Sequence, residues 1–286
     1  MNSVLPIPEF IPSIAGKIFT LTFNCNGSHC EPPHSQLILI PPFAEEANKS
    51  RHIISKLGRE LALIGVKTTV VDLFGCGDSE GDLDQVSMQI WHKDIEAAIS
   101  HSAKQTGSTN IAIGGIRLGA TIAASYISQN TSKHQISNLL LMQPVIDGKN
   151  YIKQFIRLKL AESITSNRAS NKSPASTTEI IELLEQGEPQ EISGYMLTKQ
   201  LFNDINNLSC NLQNINSSTN TTLLDINPQG SQSIPLKKFT DKHTEIEHLV
   251  CQGSQFWACQ EIAQCDELID LCTKLFITTS GVVNEQ

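Results

Sequence analysis

The sequence contains no apolar run approaching the ~20 residues needed to cross a bilayer, so no transmembrane segment is expected. Met1 to Ile18 lacks a basic region followed by a long apolar one, and no secretory signal is expected there. Lys and Arg are scattered rather than clustered in a chain of net charge −8, which argues against a nucleic-acid partner. The eight cysteines form no CxxC pair and no metal-ligand spacing, so neither a metal nor another cofactor is expected. Together these absences indicate a cytoplasmic, reduced protein, in which a bond between Cys25 and Cys30 is disfavoured. Cys259, Cys265 and Cys272 are spaced to share one buried helical face. No internal repeat is evident.

What is present is a chain of 286 residues with 40% hydrophobic content, enough for one large core and a smaller appendage. Ile14 to Phe23 alternates and predicts an antiparallel edge strand. The continuous apolar run Leu37–Ile40 suits a strand covered on both faces, and Thr68–Leu73, Ile111–Gly115 and Leu139–Met142 read as further buried strands. Helical patterns separate them, from Asn48 or Ser50 to Leu63, from Ser87 to Lys104, and from Ala120 onward. This rhythm predicts a mostly parallel sheet flanked by helices. It breaks after Val145. Helices at Lys149–Ile164, Thr178–Gln186 and Thr198–Leu208, a short strand at Glu191–Met196 and a polar loop at Thr165–Thr178 then read as an insertion. The expected division is a core over residues 1–146, a helical cap over 147–218, and the rest of the core over 219–286. Strands at Thr221–Ile226 and Ile246–Cys251 and a helix at Phe256–Phe276 complete that core.

The chain is organised around Ile111-Ala112-Ile113-Gly114-Gly115-Ile116-Arg117-Leu118-Gly119. An apolar strand runs through two glycines into a helical pattern, in the small-x-nucleophile-x-small layout of a nucleophile elbow. This points to an α/β-hydrolase scaffold, whose nucleophile, acid and histidine follow one another along the chain. The nucleophile position holds Arg117. The acid position is Asn227-Pro228, with Asp225 on the strand before it, and the loop Gln252–Trp257 has no histidine. His248 lies too early, inside a strand. Cys76 and Ser79 sit in a glycine loop beside the site, without a histidine to activate them.

Arg117 stands at a helix N-terminus, where unpaired N–H groups and the helix dipole favour an anion. Its guanidinium adds a fork suited to carboxylate or phosphate. Two readings stay open: an internal salt bridge with Glu45 or Glu46, or a ligand-binding arginine. The residues expected to line the site are Phe43, Ala44, Glu45 and Glu46 in the loop after the first buried strand, Gly75 and Cys76 in the glycine loop, and Arg117, Leu118 and Trp257. His243-Thr244-Glu245-Ile246-Glu247-His248 reads as a charged strand start facing water rather than a metal cluster. Trp91 and Trp257 read as packing residues rather than cofactor contacts.

Four stretches carry a closer resemblance: Pro41-Pro42-Phe43-Ala44-Glu45-Glu46-Ala47-Asn48-Lys49-Ser50-Arg51, Asp72-Leu73-Phe74-Gly75-Cys76-Gly77-Asp78-Ser79, Gly115-Ile116-Arg117-Leu118-Gly119 and Gln143-Pro144-Val145-Ile146-Asp147-Gly148-Lys149. With Gln154–Leu158, Gly194-Tyr195 and Gly253–Trp257, they resemble the exosortase A system-associated hydrolase 2 family, a branch of the α/β-hydrolases. The resemblance implies a bacterial setting of exopolysaccharide synthesis and exosortase protein sorting. It also implies arginine at the elbow. The expected role is binding of a small anionic acyl, lipid or sugar-phosphate ligand by a protein that has lost serine chemistry, with exosortase or exopolysaccharide machinery as partner. The rivals are an active esterase- or thioesterase-like hydrolase or acyltransferase with another nucleophile, and an interaction scaffold.

Overall fold

A computed structural model describes residues 4–25, 33–106, 110–129, 133–166 and 176–279, apart from the side chains of 159–166. The chain runs β1 (Pro6–Pro12), β2 (Lys17–Phe23), β3 (Ser35–Ile40), α1 (Glu45–Leu63), β4 (Val66–Val71), α2 (Met88–Thr106), β5 (Ile111–Ile116), α3 (Leu118–Ser128) and β6 (Ile136–Met142). It continues with α4 (Gly148–Ser166), α5 (Thr177–Gln186), β7 (Gln190–Ile192), β8 (Tyr195–Leu197) and α6 (Lys199–Asn206). Last come β9 (Asn220–Asn227), α7 (Ile234–Thr240), β10 (Glu247–Gln252) and α8 (Asp266–Thr279). Eight strands form one sheet in the order β1-β2-β4-β3-β5-β6-β9-β10. From β4 to β10 the pairing is parallel; β1 and β2 pair antiparallel at one edge. This is the α/β-hydrolase fold.

Strand alternation sorts the core onto two faces. Leu37 and Leu39 of β3 pack with Leu57 and Leu61 of α1 and Leu268 and Cys272 of α8. Ile38 and Ile40 pack with Trp91 and Ile95 of α2 and Ala123 of α3. Because both faces are covered, no polar alternation survives in β3, and every residue of it is buried. Each such aliphatic side chain contributes about 1.5–3 kcal/mol on leaving water. Between β6 and β9, α4, α5, β7, β8 and α6 pack on one another outside the large sheet.

Several expectations need correction. β1 precedes the predicted edge strand, and its prolines at 6, 8 and 12 are tolerated because it is the outermost strand. Glu45 and Glu46 do not lie in a loop but form the first turn of α1, where the helix dipole favours carboxylates. The predicted strand at Glu191–Met196 is the two-stranded hairpin β7–β8, turning through Ser193 and Gly194 at positive φ. Helix α7 follows β9 where none was expected, opened by Pro235 in its first turn. His243 to Ile246 form turns ahead of β10 rather than a strand, and His243 pairs with Glu245 at 3.5 Å. The last helix starts only at Asp266, so Cys272 alone of the three spaced cysteines is helical. Cys25 is disulfide-bonded, against the expectation of a reduced pair, with its partner outside the described residues. Most of the predicted polar loop, residues 167–175, also lies outside them.

Candidate functional site

Arg117 ends β5 and caps α3 with φ 57° and ψ −123°, a left-handed backbone that L residues rarely adopt. Its N–H donates to the Met142 carbonyl at 2.9 Å, anchoring the turn to β6. The flanking glycines make the turn sterically feasible. A Cβ on Gly115 would lie 2.3 Å from the Gly119 carbonyl carbon, and one on Gly119 would lie 2.2 Å from the Pro41 oxygen. The elbow read from the sequence is therefore present, with arginine at its apex.

The guanidinium turns inward. Its Nη2 donates to Glu46 Oε1 at 3.3 Å, and both side chains are about a fifth exposed, at 19% and 23%. Tyr151 of α4 donates its hydroxyl to the other Glu46 oxygen at 3.4 Å. The guanidinium carbon lies 5.3 Å from the Trp257 ring centre and 5.9 Å from that of Tyr151, within cation–π range of both. Arg117 Nε is buried and lacks a hydrogen-bond partner among the described residues. Of the two acids anticipated for Arg117, Glu46 takes the role. Glu45 instead accepts from the Tyr195 hydroxyl at 3.1 Å and from Asn48 at 3.2 Å.

Burial pushes the Glu46 carboxyl above its ordinary range, and the opposing pull of Arg117 does not cancel it. Tyr151, enclosed and facing Glu46, is held far above the ordinary phenol value. Glu46 and Tyr151 line a hollow of ≈ 160 Å³ together with Phe43, Ala44, Glu45, Gln154, Phe155 and Leu158. Arg117 lies behind the Glu46 carboxylate rather than in that wall. A second hollow of ≈ 100 Å³ is lined by Phe43, Ala44, Gly75, Cys76, Gly119, Tyr195 and their neighbours. The elbow, the glycine loop and the start of α1 therefore converge at the carboxyl ends of β3, β4 and β5, where ligands of such sheets bind. Leu118 is fully buried beneath the turn and presents no side chain to either hollow.

Cys76 faces the smaller hollow, but burial, with Asp72 and Asp94 adding to it, pushes its thiol up to about 12. A thiol of that value is protonated at neutral pH and a poor nucleophile. Asp72 serves the glycine loop: it accepts from the Asp78 N–H at 3.0 Å and faces Arg51 at 3.7 Å. Ser79 donates its hydroxyl to the Asp72 carbonyl. Asp225 and His248 do find each other, at 3.4 Å, on neighbouring strands β9 and β10. They hold α7 rather than serve the elbow. Asp225 accepts from the Ser233 N–H at 2.5 Å, and Thr240 lies 2.9 Å from His248 Nδ1. Tyr151 is the member of the cluster that sequence reading missed; its place on the predicted amphipathic helix marked it only as core.

The family model described as serine aminopeptidase, S33, matches residues 31–215, more than half of the chain. The chain belongs to the serine aminopeptidase S33 family. Its structure is similar to Est1E from Butyrivibrio proteoclasticus with ferulic acid bound, at TM-score 0.64 and 14% identity over 95% of this chain and 98% of that one. It is also similar to a thioesterase domain from the curacin biosynthetic pathway, at TM-score 0.56 and 14% identity over 96% and 99%. An esterase from Pyrococcus furiosus aligns at TM-score 0.57 and 14% identity over 97% and 91%. No curated protein matches the sequence. At such identities the neighbours establish the fold alone. The residue at the apex of the elbow is Arg117, not serine.

Proposed function

We propose that this S33-family protein performs no serine-type turnover and instead binds an anionic acyl, lipid or sugar-phosphate ligand at Arg117. The observation that carries this reading is the guanidinium at the elbow apex, held by one carboxylate oxygen at 3.3 Å while its Nε stays buried and unpartnered. A guanidinium paired on one edge keeps capacity for a second, bidentate anion. Glu46 occupies the paired edge as an internal stand-in. Burial disfavours its charged form, and a ligand carboxylate or phosphate arriving through the 160 Å³ hollow would displace it. The apolar walls, Phe43, Phe155 and Leu158, suit an acyl chain. Service to exopolysaccharide synthesis or exosortase sorting, in a cytoplasmic setting, is part of the proposal through the resemblance of the Arg117 elbow and its companion motifs.

A second reading, an interaction scaffold, is favoured by one observation: neither hollow near the elbow reaches the Arg117 side chain itself. Fluorophosphonate labelling combined with a thiol-directed activity probe separates these readings from an active enzyme. The proposal expects no specific labelling; labelling of a single residue, with hydrolysis of short p-nitrophenyl esters, defeats it.

A further inference from the structure

The loop that lays Trp257 against Arg117 runs from the end of β10, where Cys251 is the last residue but one, to Cys265, immediately before α8. Both cysteines are buried, at 0% and 2% exposure, and their sulfurs are in contact at 3.9 Å. Gly253 lies so close that a Cβ on it would be 2.4 Å from the Cys265 sulfur. The two thiols are therefore the two feet of a single loop.

We propose that Cys251 and Cys265 form a reversible disulfide site, oxidised by a hydroperoxide, whose closure fixes residues 252–264 and so clamps Trp257 onto Arg117. A disulfide is about 2.05 Å long, so closure brings each sulfur about 1 Å nearer the other. The two thiols are not equivalent. Cys265 sits at the N-terminus of α8, where free N–H groups and the helix dipole favour a thiolate. The hydrogen bond from Cys251 and the Leu268 N–H hold its thiol below the ordinary value against burial, while Cys251 is held above its own. Cys272 is pushed up to about 12 by burial, which keeps it protonated.

The Cys265 thiolate attacks one oxygen of hydrogen peroxide; an S–O bond forms, the O–O bond breaks, and the departing hydroxide takes a proton to give water. The sulfur is then a sulfenic acid. Cys251 attacks that sulfur; the S–S bond forms, the S–O bond breaks, and hydroxide leaves with the Cys251 proton as a second water. Two thiols lose two electrons and one peroxide gains them. Dithiothreitol reverses the step by exchange.

The test treats the full-length protein with stoichiometric hydrogen peroxide, blocks free thiols, and maps disulfides after digestion with trypsin and a glutamyl-specific protease. Cleavage at Glu261 and Glu267 separates Cys265 from Cys251 and Cys272. The Cys259→Ser protein, which lacks the half-exposed thiol of the same loop, is the reference for assigning the link. The expected result is a Cys251–Cys265 link in both proteins, reversed by dithiothreitol, with a melting temperature several degrees higher while it is closed. In Cys251→Ser, dimedone should capture a sulfenic acid at Cys265. A Cys265–Cys272 link, an unreacted Cys265 beside an oxidised Cys259, or a closed link that leaves the melting temperature unchanged overturns the proposal. The map of the native chain decides even if Cys251→Ser does not fold.

Discussion

Ala44 and Arg117 share one unusual backbone conformation, φ 55°, ψ −133° and φ 57°, ψ −123°, at the ends of the adjacent parallel strands β3 and β5. Each caps a helix, so two helix N-termini enter the same crevice through the same strained turn. Strain of this kind costs on the order of 1–3 kcal/mol per residue. At Arg117 the side chain has partners that hold it in place. At Ala44 no polar side-chain contact offsets the strain, so Ala44→Gly should raise stability by about 1 kcal/mol, read as a higher urea midpoint at unchanged slope.

The elbow tolerates no added volume on its helix side. A methyl group on Gly119 meets the Pro41 and Ile40 carbonyl oxygens at 2.2 and 2.4 Å, and these are backbone atoms. Gly119→Ala is therefore expected to cost about 3 kcal/mol, at the upper end of overpacking penalties. Equilibrium unfolding measures it; a change below about 0.5 kcal/mol would mean the elbow relaxes freely.

Glu46 and Arg117 should be energetically coupled. Since each is about a fifth exposed, removing one is expected to cost about 1–2 kcal/mol rather than the ~3–5 kcal/mol of a fully buried pair. The double variant Glu46→Met, Arg117→Met should be less unstable than the sum of the singles. The pH sign is also fixed. Glu46 binds its proton more tightly folded than unfolded, so the stability it contributes is complete at low pH and falls as pH rises through its folded value. Without Arg117 that value rises further. Arg117→Met should therefore lose more stability than the wild type between pH 5 and pH 8, as chemical unfolding at the two pH values would show.

Asp94 gives a second pH dependence. It is fully buried, accepts from the Ser13 hydroxyl and the Phe74 N–H, and burial raises it from 3.8 to about 6. Its contribution to stability is complete below about 3.8 and lost as pH rises through about 6. Asp94→Asn retains an acceptor for Phe74 and a hydrogen-bonding partner for Ser13 but cannot ionise. Relative to the wild type it should gain on the order of 2–3 kcal/mol between pH 4 and pH 8. A pH-independent difference would place the Asp94 proton elsewhere.

Much of this architecture is legible in the chain itself. The apolar runs of β3, β5 and β6 mark a doubly covered parallel sheet, and Gly115 and Gly119 mark the elbow because only glycine fits those contacts. The start of α1 is hidden in the sequence because Pro41-Pro42 and the acidic Glu45-Glu46 resemble a loop, whereas those acids stabilise the first turn of a helix. Residues Phe256–Cys265 carry apolar spacing that suits a helix, yet here Trp257 is drawn toward the Arg117 guanidinium and that stretch stays non-helical. Tertiary contact outweighs local pattern there. Nothing local in Tyr151 announces that it serves Glu46 from an element more than a hundred residues away.

Arg117 is proposed to hold an anion at the elbow in place of attacking a substrate. Calorimetric titration of octanoate into wild-type and Arg117→Gln protein at pH 5.5 tests it most directly. Saturable binding to the wild type is expected, weakened tenfold or more in the variant, as for loss of a charged hydrogen bond worth about 1.5–3 kcal/mol. Equal binding by the two proteins, or no binding by the wild type, would contradict it.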